Sequence, residues 1–371
     1  MAKYKLGDIC EIVSGCTPKT GIDEYWNGDI KWITPAELSD ESYVISDSVR
    51  KITDLAVKKT GMTSLPVGTV LLSSRAPIGK VAIAGCEMYC NQGFKNLICS
   101  DNINNRYLYW FLKGNTAFLN SLGRGATFKE ISKSIVSEIE INVPDIQEQE
   151  EAVANLEKIN KVIALRKREL VLLEDLISAR FVEMFGDPLD KKIANMIFAD
   201  CLEFNPKKSE VKDLQDIQAS FVPMECIGTD GSFAIKDKGI IREYYKGYTY
   251  FRDGDVLLAK ITPCFENGKV AIAENCENGI GFGTTEFHVL RPRKDISNSY
   301  WIKYLLKNER VHELATMNMS GSAGQKRIQT PFFEKLRIYL PPIELQNQFA
   351  DFVRATDKLK LATSSQTTLA A

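Results

Sequence analysis

Two histidines in 371 residues leave little for catalysis or metal binding, and neither His288 nor His312 sits in a nucleophile or ligand motif. Nine cysteines form no Cys-x-x-Cys pair; Cys86 and Cys90 are the nearest approach to ligand spacing, so no metal site is expected. Nucleotide loops are missing as well. No Gly-x-x-x-x-Gly-Lys-Ser/Thr stretch and no Gly-x-Ser-x-Gly elbow occurs, and Gly281-Phe282-Gly283 runs into Thr284-Thr285-Glu286 without a third glycine. The chain is expected to be non-catalytic and to need no cofactor.

Long apolar runs are absent too. The longest, 68–72 and 81–84, are strand-sized, far below the roughly 20 residues that span a bilayer, and Met1-Ala2-Lys3-Tyr4-Lys5 is followed by no apolar secretory segment. A cytoplasmic protein with no membrane association is expected. Charge of one sign is also lacking: 47 Lys+Arg against 48 Asp+Glu give a net charge of -1. Any contact with nucleic acid must then come from local loops.

What is present is an ordinary globular composition, 44% hydrophobic and 26% charged, at a length that suggests two or three domains. The chain also repeats itself. Val67 to Pro77 followed by Gly79-Lys80-Val81-Ala82-Ile83-Ala84 reappears as Asp253 to Pro263 followed by Gly268-Lys269-Val270-Ala271-Ile272-Ala273. Gly93 to Leu97 matches Glu286 to Leu290, Tyr107 to Leu112 matches Tyr300 to Leu305, and Ile131 to Gln149 matches Ile328 to Gln346, all in the same order. A tandem duplication of one structural unit follows.

Each unit opens with short β-type runs. Gly-x-Val-Leu-Leu, a Pro/Gly turn and Lys-Val-Ala-Ile-Ala read as two strands joined by a polar loop, and aromatic helices follow at 107–113 and 300–306. Trp32, Trp110 and Trp301 are expected in cores. Each unit closes with a long helix. From Gln147 to Phe185 there is no Pro or Gly, and Leu156, Ile159, Ile163, Leu170, Leu173 and Ile177 mark a coiled-coil seam before Gly186-Asp187-Pro188 stops it. The second helix starts near Ile343 with Phe349, Phe352, Val353, Leu359 and Leu369, and Thr363 to Thr368 should fray. The expected fold class is α+β: two mixed α/β domains with β cores, each followed by a long helix, the helices pairing as an antiparallel coiled coil. The expected boundaries are 1–144, 145–187 for the central helix, 188–341, and 342–371 for the terminal helix.

Leu6-Gly7-Asp8, Trp32-Ile33-Thr34-Pro35, Gly68-Thr69-Val70-Leu71 with Gly79-Lys80-Val81-Ala82, Val143-Pro144 to Gln149, and Phe181 to Pro188 together resemble the DNA specificity subunits of type I restriction-modification enzymes. The resemblance covers nearly the whole chain. It implies two target recognition domains, each reading one half of a bipartite sequence in double-stranded DNA, and helices that measure the unread spacer. It implies two modification (methyltransferase) subunits bound along the helical regions, and restriction (endonuclease/translocase) subunits for cleavage. Asn205-Pro206-Lys207-Lys208 departs at two positions from the Asn/Asp-Pro-Pro-Tyr/Phe motif of adenine methyltransferases, which places catalysis in partners.

Candidate DNA contacts are polar or basic residues beside turns. In the first unit they are Lys31, Ser74, Arg75, Lys80, Gln92 and Lys95, with Arg124, Thr127 and Lys129 of a glycine-rich loop. In the second they are Lys260, Thr262, Asn267, Lys269 and Thr285 beside Glu286, with Ser322, Gln325, Lys326 and Arg327 of the corresponding loop. Arg and Lys pair with guanine, Asn and Gln with adenine, and glycine allows backbone donation to phosphate. Lys80 and Lys269 fit either a phosphate contact or a solvent-facing strand position. A duplicated protein-interaction scaffold without DNA specificity fits the same layout; copurification with a methyltransferase subunit separates the two.

Overall fold

The computed structural model describes residues 2–75, 77–125, 129–322 and 324–370, without the side chains of 365–370. Contacts divide the chain into two units, Met1–Val162 and Ile163–Ala371. The repeat read in the sequence is a repeat of topology.

In unit 1 the central sheet runs Cys10–Ser14, Lys95–Cys99, Val70–Leu72, Val81–Ala84, Val44–Ile45. In unit 2 the order is Leu202–Phe204, Phe287–Pro292, Val256–Ala259, Val270–Ile272. Both Gly-x-Val-Leu-Leu runs are therefore antiparallel partners of the Val-Ala-Ile runs, as their composition suggests, with Val70 opposite Ile83 and Val256 opposite Ile272. Their alternation is weak because both faces are covered, and nearly every residue in these strands is buried.

A second sheet follows the same plan. Trp26–Ile33 lies between Arg50–Ile52 and, in parallel, Tyr89–Cys90. Gln218–Val222 lies between Asp237–Ile240 and, in parallel, Ile280–Gly283, which also pairs with Thr249–Arg252. Each unit is closed by a two-stranded ribbon that joins its first strand to the strand before its long helix: Ala2–Lys5 with Glu140–Val143, and Met196–Ile197 with Arg337–Ile338.

The aromatic helices span Asn105–Gly114 and Ser299–Lys307, each begun by an asparagine whose side chain accepts from the second helical N–H (Asn104 from Arg106, 2.8 Å; Asn298 from Tyr300, 2.9 Å). Trp32 and Trp301 are buried and Trp110 is half-buried, in agreement with core roles.

The long helix spans Ile146–Phe185, 40 residues or about 60 Å of axis. A buried glutamine in its first turn fixes its start. Gln149 donates to the carbonyls of Pro144 and Asn102 (2.9 and 3.2 Å) and accepts from the Asn104 N–H (2.8 Å). The helix Ile343–Ala370 repeats the device: Gln346 donates to Pro341 and Ile296 (2.8 and 3.0 Å) and accepts from Asn298 (2.9 Å). Both side chains are fully buried with their amides satisfied, so each helix is locked to the cap of its own unit's aromatic helix.

Within unit 2 the two long helices run antiparallel. Phe349 packs edge-on against Phe181 and Phe185, and Lys360 meets Glu174 at 2.5 Å, so numbers rise along one helix as they fall along the other. Lys307 also bonds Glu174; opposed by burial, the two ammonium groups hold its carboxyl below the ordinary range. The seam differs from expectation at three places, Leu156 and Ile159 on the first helix and Leu359 on the second, which are exposed because no apolar surface among the described residues covers them. On the second helix Phe349 and Val353 are buried as expected, and Thr356 and Thr363 take the further buried positions in place of Leu359. Helical backbone continues through Thr363 to Ala370; low propensity costs only a few tenths of a kcal/mol per residue, which an existing helix tolerates. The side chain of Leu369 lies outside the described residues.

Candidate nucleic-acid interface

The glycine-rich loops return to the same point of each unit. In unit 1 the segment leaving the loop pairs with both neighbours: Arg124 and Glu130 exchange main-chain bonds (3.0 and 2.9 Å), and the Ile131 N–H donates to the Ser74 carbonyl (2.9 Å). In unit 2 Ser320 and Arg327 exchange bonds (3.0 and 2.8 Å), and Ile328 donates to Lys260 (3.0 Å). Gly125 and Gly321 occupy equivalent positions with φ of 130° and 132°, a conformation L side chains avoid. A Cβ on Gly321 would also lie 2.8 Å from the Gln325 carbonyl oxygen. Each loop is thus closed at its root by main-chain bonds at the end of the central strand.

Several of the candidate residues converge at these roots. In unit 1, Lys95 extends along its strand beneath Ser74, 3.4 Å from the hydroxyl, and pairs with Glu130 at 3.1 Å; Arg75 stands 4.0 Å from the other carboxylate oxygen. Ser74 is wholly buried and gives its hydroxyl to the Gly93 carbonyl, and Lys95 is nearly as buried. Arg75, Arg124 and Lys129 keep exposed surface. Thr127 lies outside the described residues.

In unit 2, Arg327 meets Glu286 through Nε (3.0 Å) and Nη2 (2.9 Å). That bond, opposed by partial burial and helped by nearby Lys260 and His288, holds the Glu286 carboxyl below its ordinary range. Thr262 gives its hydroxyl to Glu266 (3.0 Å) and its N–H to the Lys326 carbonyl (3.0 Å). Ser322, Gln325 and Lys326 are exposed along the loop, and Thr285 is exposed beside Glu286. His288, buried next to this root, has its Nε2 2.9 Å from the Ile328 carbonyl oxygen, and burial pushes its imidazole toward the neutral form.

Other candidates lie apart from the roots. Lys80 and Lys269, aligned in sequence, make the same contact: each ammonium donates to a main-chain carbonyl, of Leu38 and of Met224 (3.1 Å). Lys31 reaches the Cys86 sulfur at 3.4 Å from the second sheet, and Gln92 accepts from the Thr17 hydroxyl. Asn267 is exposed in the turn after Pro263, its N–H on the Pro263 carbonyl. Glu130 escaped the sequence reading, although aligning Ile131 with Ile328 sets it opposite Arg327. That opposition of charge was the available signal. Among the described residues no three His, Cys, Asp or Glu side chains form a metal-holding group, and no helix is long and apolar enough to cross a membrane.

Each copy of the duplicated α+β unit carries one loop rooted at a charged junction and one buried-glutamine helix clamp. The profile of the type I restriction modification DNA specificity domain matches residues 1–175 and 200–370, and the chain belongs to that family. It is 40% identical over 217 residues to the MjaIX type I restriction enzyme specificity subunit of Methanocaldococcus jannaschii, covering 57% of this chain and 50% of the relative. It is 44% identical over 161 residues to the EcoAI specificity subunit of Escherichia coli, covering 43% of this chain and 26% of the relative. The matches thus span half or less of those relatives' length. Two solved structures share the fold. One, from work on the assembly and conformational transition of a type I R-M system, has a TM-score of 0.60 at 16% identity, covering 100% of this chain and 94% of the other. The other, a type I restriction-modification S subunit from M. genitalium, has a TM-score of 0.53 at 13% identity, covering 100% and 92%.

Proposed function

We propose that the chain is the sequence-reading subunit of a type I restriction-modification complex, each unit reading one half of a bipartite target in double-stranded DNA. The observation that carries this is the duplication of one recognition unit, with matched loop roots, in a chain of the DNA specificity family. The recognition domains are residues 1–144 and 188–341, and the root and loop residues are the candidate contacts. Lys80 and Lys269 can still face a phosphate through their remaining donors.

Methylation and cleavage belong to partner subunits. Support for a methyltransferase partner along the helices comes from Leu165, Leu172 and Leu176, 60%, 49% and 49% exposed on the long helix and spaced by seven and four residues. Apolar side chains repeated on one exposed helix face mark an interaction surface. The helices also set the unread spacer in this reading. Seven residues added to both, in phase, correspond to about 10 Å of helix, or about three base pairs of DNA.

Methylome sequencing of cells with and without the chain tests the proposal. A bipartite methylated motif that vanishes without the chain is the expected result. Exchange of residues 1–144 for those of another specificity subunit should alter one half of that motif, and the double helix insertion should lengthen its spacer. An unchanged methylome on deletion would reject the reading.

A further inference from the structure

The two loop roots carry opposite charge at the same place. Unit 1 has the carboxylate Glu130 on the segment returning from the loop, answered by Lys95 on the strand; unit 2 has Arg327 there, answered by Glu286. The geometry of the second pair is side-on. Nε and Nη2 of Arg327 take the two carboxylate oxygens, and Nη1 gives one hydrogen to the Gln325 carbonyl at 3.2 Å. A guanidinium carries five N–H donors in one plane. The two that remain, one on each Nη, form its outer edge, and no acceptor among the described residues takes them.

That edge is held in advance. The Glu286 N–H donates to the Thr284 hydroxyl (3.2 Å) and its carbonyl accepts from Lys260 (2.9 Å), while Arg327 is bonded through its main chain to Ser320. The side chain nevertheless keeps 35% of its surface open. A fork ordered before binding loses less entropy when a ligand arrives.

We propose that Arg327 is a DNA contact of unit 2, its outer edge binding two adjacent acceptors of double-stranded DNA, and that Glu286 is the positioning residue that aims it. This rests on the DNA-reading function proposed above. The acceptors are guanine O6 and N7 or two phosphate oxygens, both of which match a planar fork. Unit 1 places a carboxylate at the equivalent position, which cannot donate, so the contact serves one half-site only.

The test uses the full chain assembled with its methyltransferase subunit and a randomised duplex DNA pool, reading the enriched sequence, affinity against salt, and thermal unfolding. Arg327→Lys keeps the charge and loses the fork. It should weaken binding about 10- to 100-fold, relaxing one base pair of one half-site if guanine is the ligand. If phosphate is the ligand, the motif stays and Arg327→Ala lowers the salt slope by about one. Glu286→Gln should weaken binding less, about 3- to 10-fold, without lowering the unfolding temperature appreciably. The exchanged pair Glu286→Arg with Arg327→Glu should recover the stability lost in Arg327→Glu alone but not the DNA affinity. A merely structural pair would recover both, and that result overturns the inference. So does a wild-type motif left unchanged, at unchanged affinity and salt slope, by Arg327→Lys and Glu286→Gln. A wild-type assembly that enriches no sequence overturns the DNA-reading function itself, which distinguishes the two failures.

Discussion

Unit 1 and unit 2 solve the same strand junction with different chemistry. Thr69 and Ile98 occupy the positions that Asp255 and Arg291 hold in unit 2, since Val70 faces Leu97 as Val256 faces Leu290. Thr69 is buried with its hydroxyl on the Pro66 carbonyl, and Ile98 packs against the core. In unit 2 the Asp255 carboxylate accepts Nε and Nη2 of Arg291 at 2.8 Å each and the Arg252 N–H, while Nη1 of Arg291 reaches Glu210. Against the penalty of burial, these carboxylates hold the guanidinium charged. The lesson is that the topology tolerates a neutral pair or a satisfied ionic network at one site, but not half of either.

The comparison is broken most severely by removing one partner. Arg291→Ala leaves a buried carboxylate, Asp255, without its guanidinium and should cost unit 2 about 3–5 kcal/mol in denaturant unfolding. Installing the unit 1 pair, Asp255→Thr with Arg291→Ile, should recover most of that loss, because the buried carboxylate and its half-buried guanidinium leave together. A double variant as unstable as the sum of its singles would show the two junctions to be unlike.

The glutamine clamps predict equality instead. Gln149→Ala and Gln346→Ala each orphan two carbonyls and one N–H, and each should cost about 2–3 kcal/mol in its own unit. A difference of more than about 1 kcal/mol between them, beyond the scatter expected for such contacts, would sharpen the comparison into a real asymmetry.

Acid should separate the units further. Lys95 stands in unit 1 where His288 stands in unit 2. Burial lowers the His288 pKa below its unfolded value, with Lys260 adding and the Ile328 carbonyl and Glu286 opposing. The unfolded state therefore binds the proton more readily. The stability this neutral ring contributes is present above about pH 6.5 and is lost as pH falls through the lower folded value. Hydrogen exchange should show unit 2 loosening first on acidification, and His288→Asn should reduce the difference.

The smallest effect on stability belongs to the exposed helix face. Leu165→Ser, Leu172→Ser and Leu176→Ser should each change stability by no more than about 0.5 kcal/mol. Copurification of the methyltransferase subunit should nonetheless fall sharply in the triple variant.

Much of this was readable before the structure. The Val-Leu-Leu and Val-Ala-Ile runs, the two aromatic helices and the start of each long helix follow from local pattern, because strand pairing, capping asparagines and the lack of Pro or Gly act over a few residues. The duplication extended that reading from one half to the other. Leu359 shows where periodicity stops being enough: an apolar residue near a seam is buried only if the partner helix passes beside it.

The sequence by itself determined that there are two copies of one unit, that each holds a Val-Leu-Leu strand, a Val-Ala-Ile strand, an aromatic helix and the start of a long helix, and which loops are rich in glycine and charge. Only the tertiary structure decided which charges meet. Lys95 and Glu130 are 35 residues apart, Glu286 and Arg327 are 41, and Asp255 and Arg291 are 36. Their pairing is set by sheet register and by where a loop returns, and Coulomb attraction over such separations leaves no periodic trace along the chain.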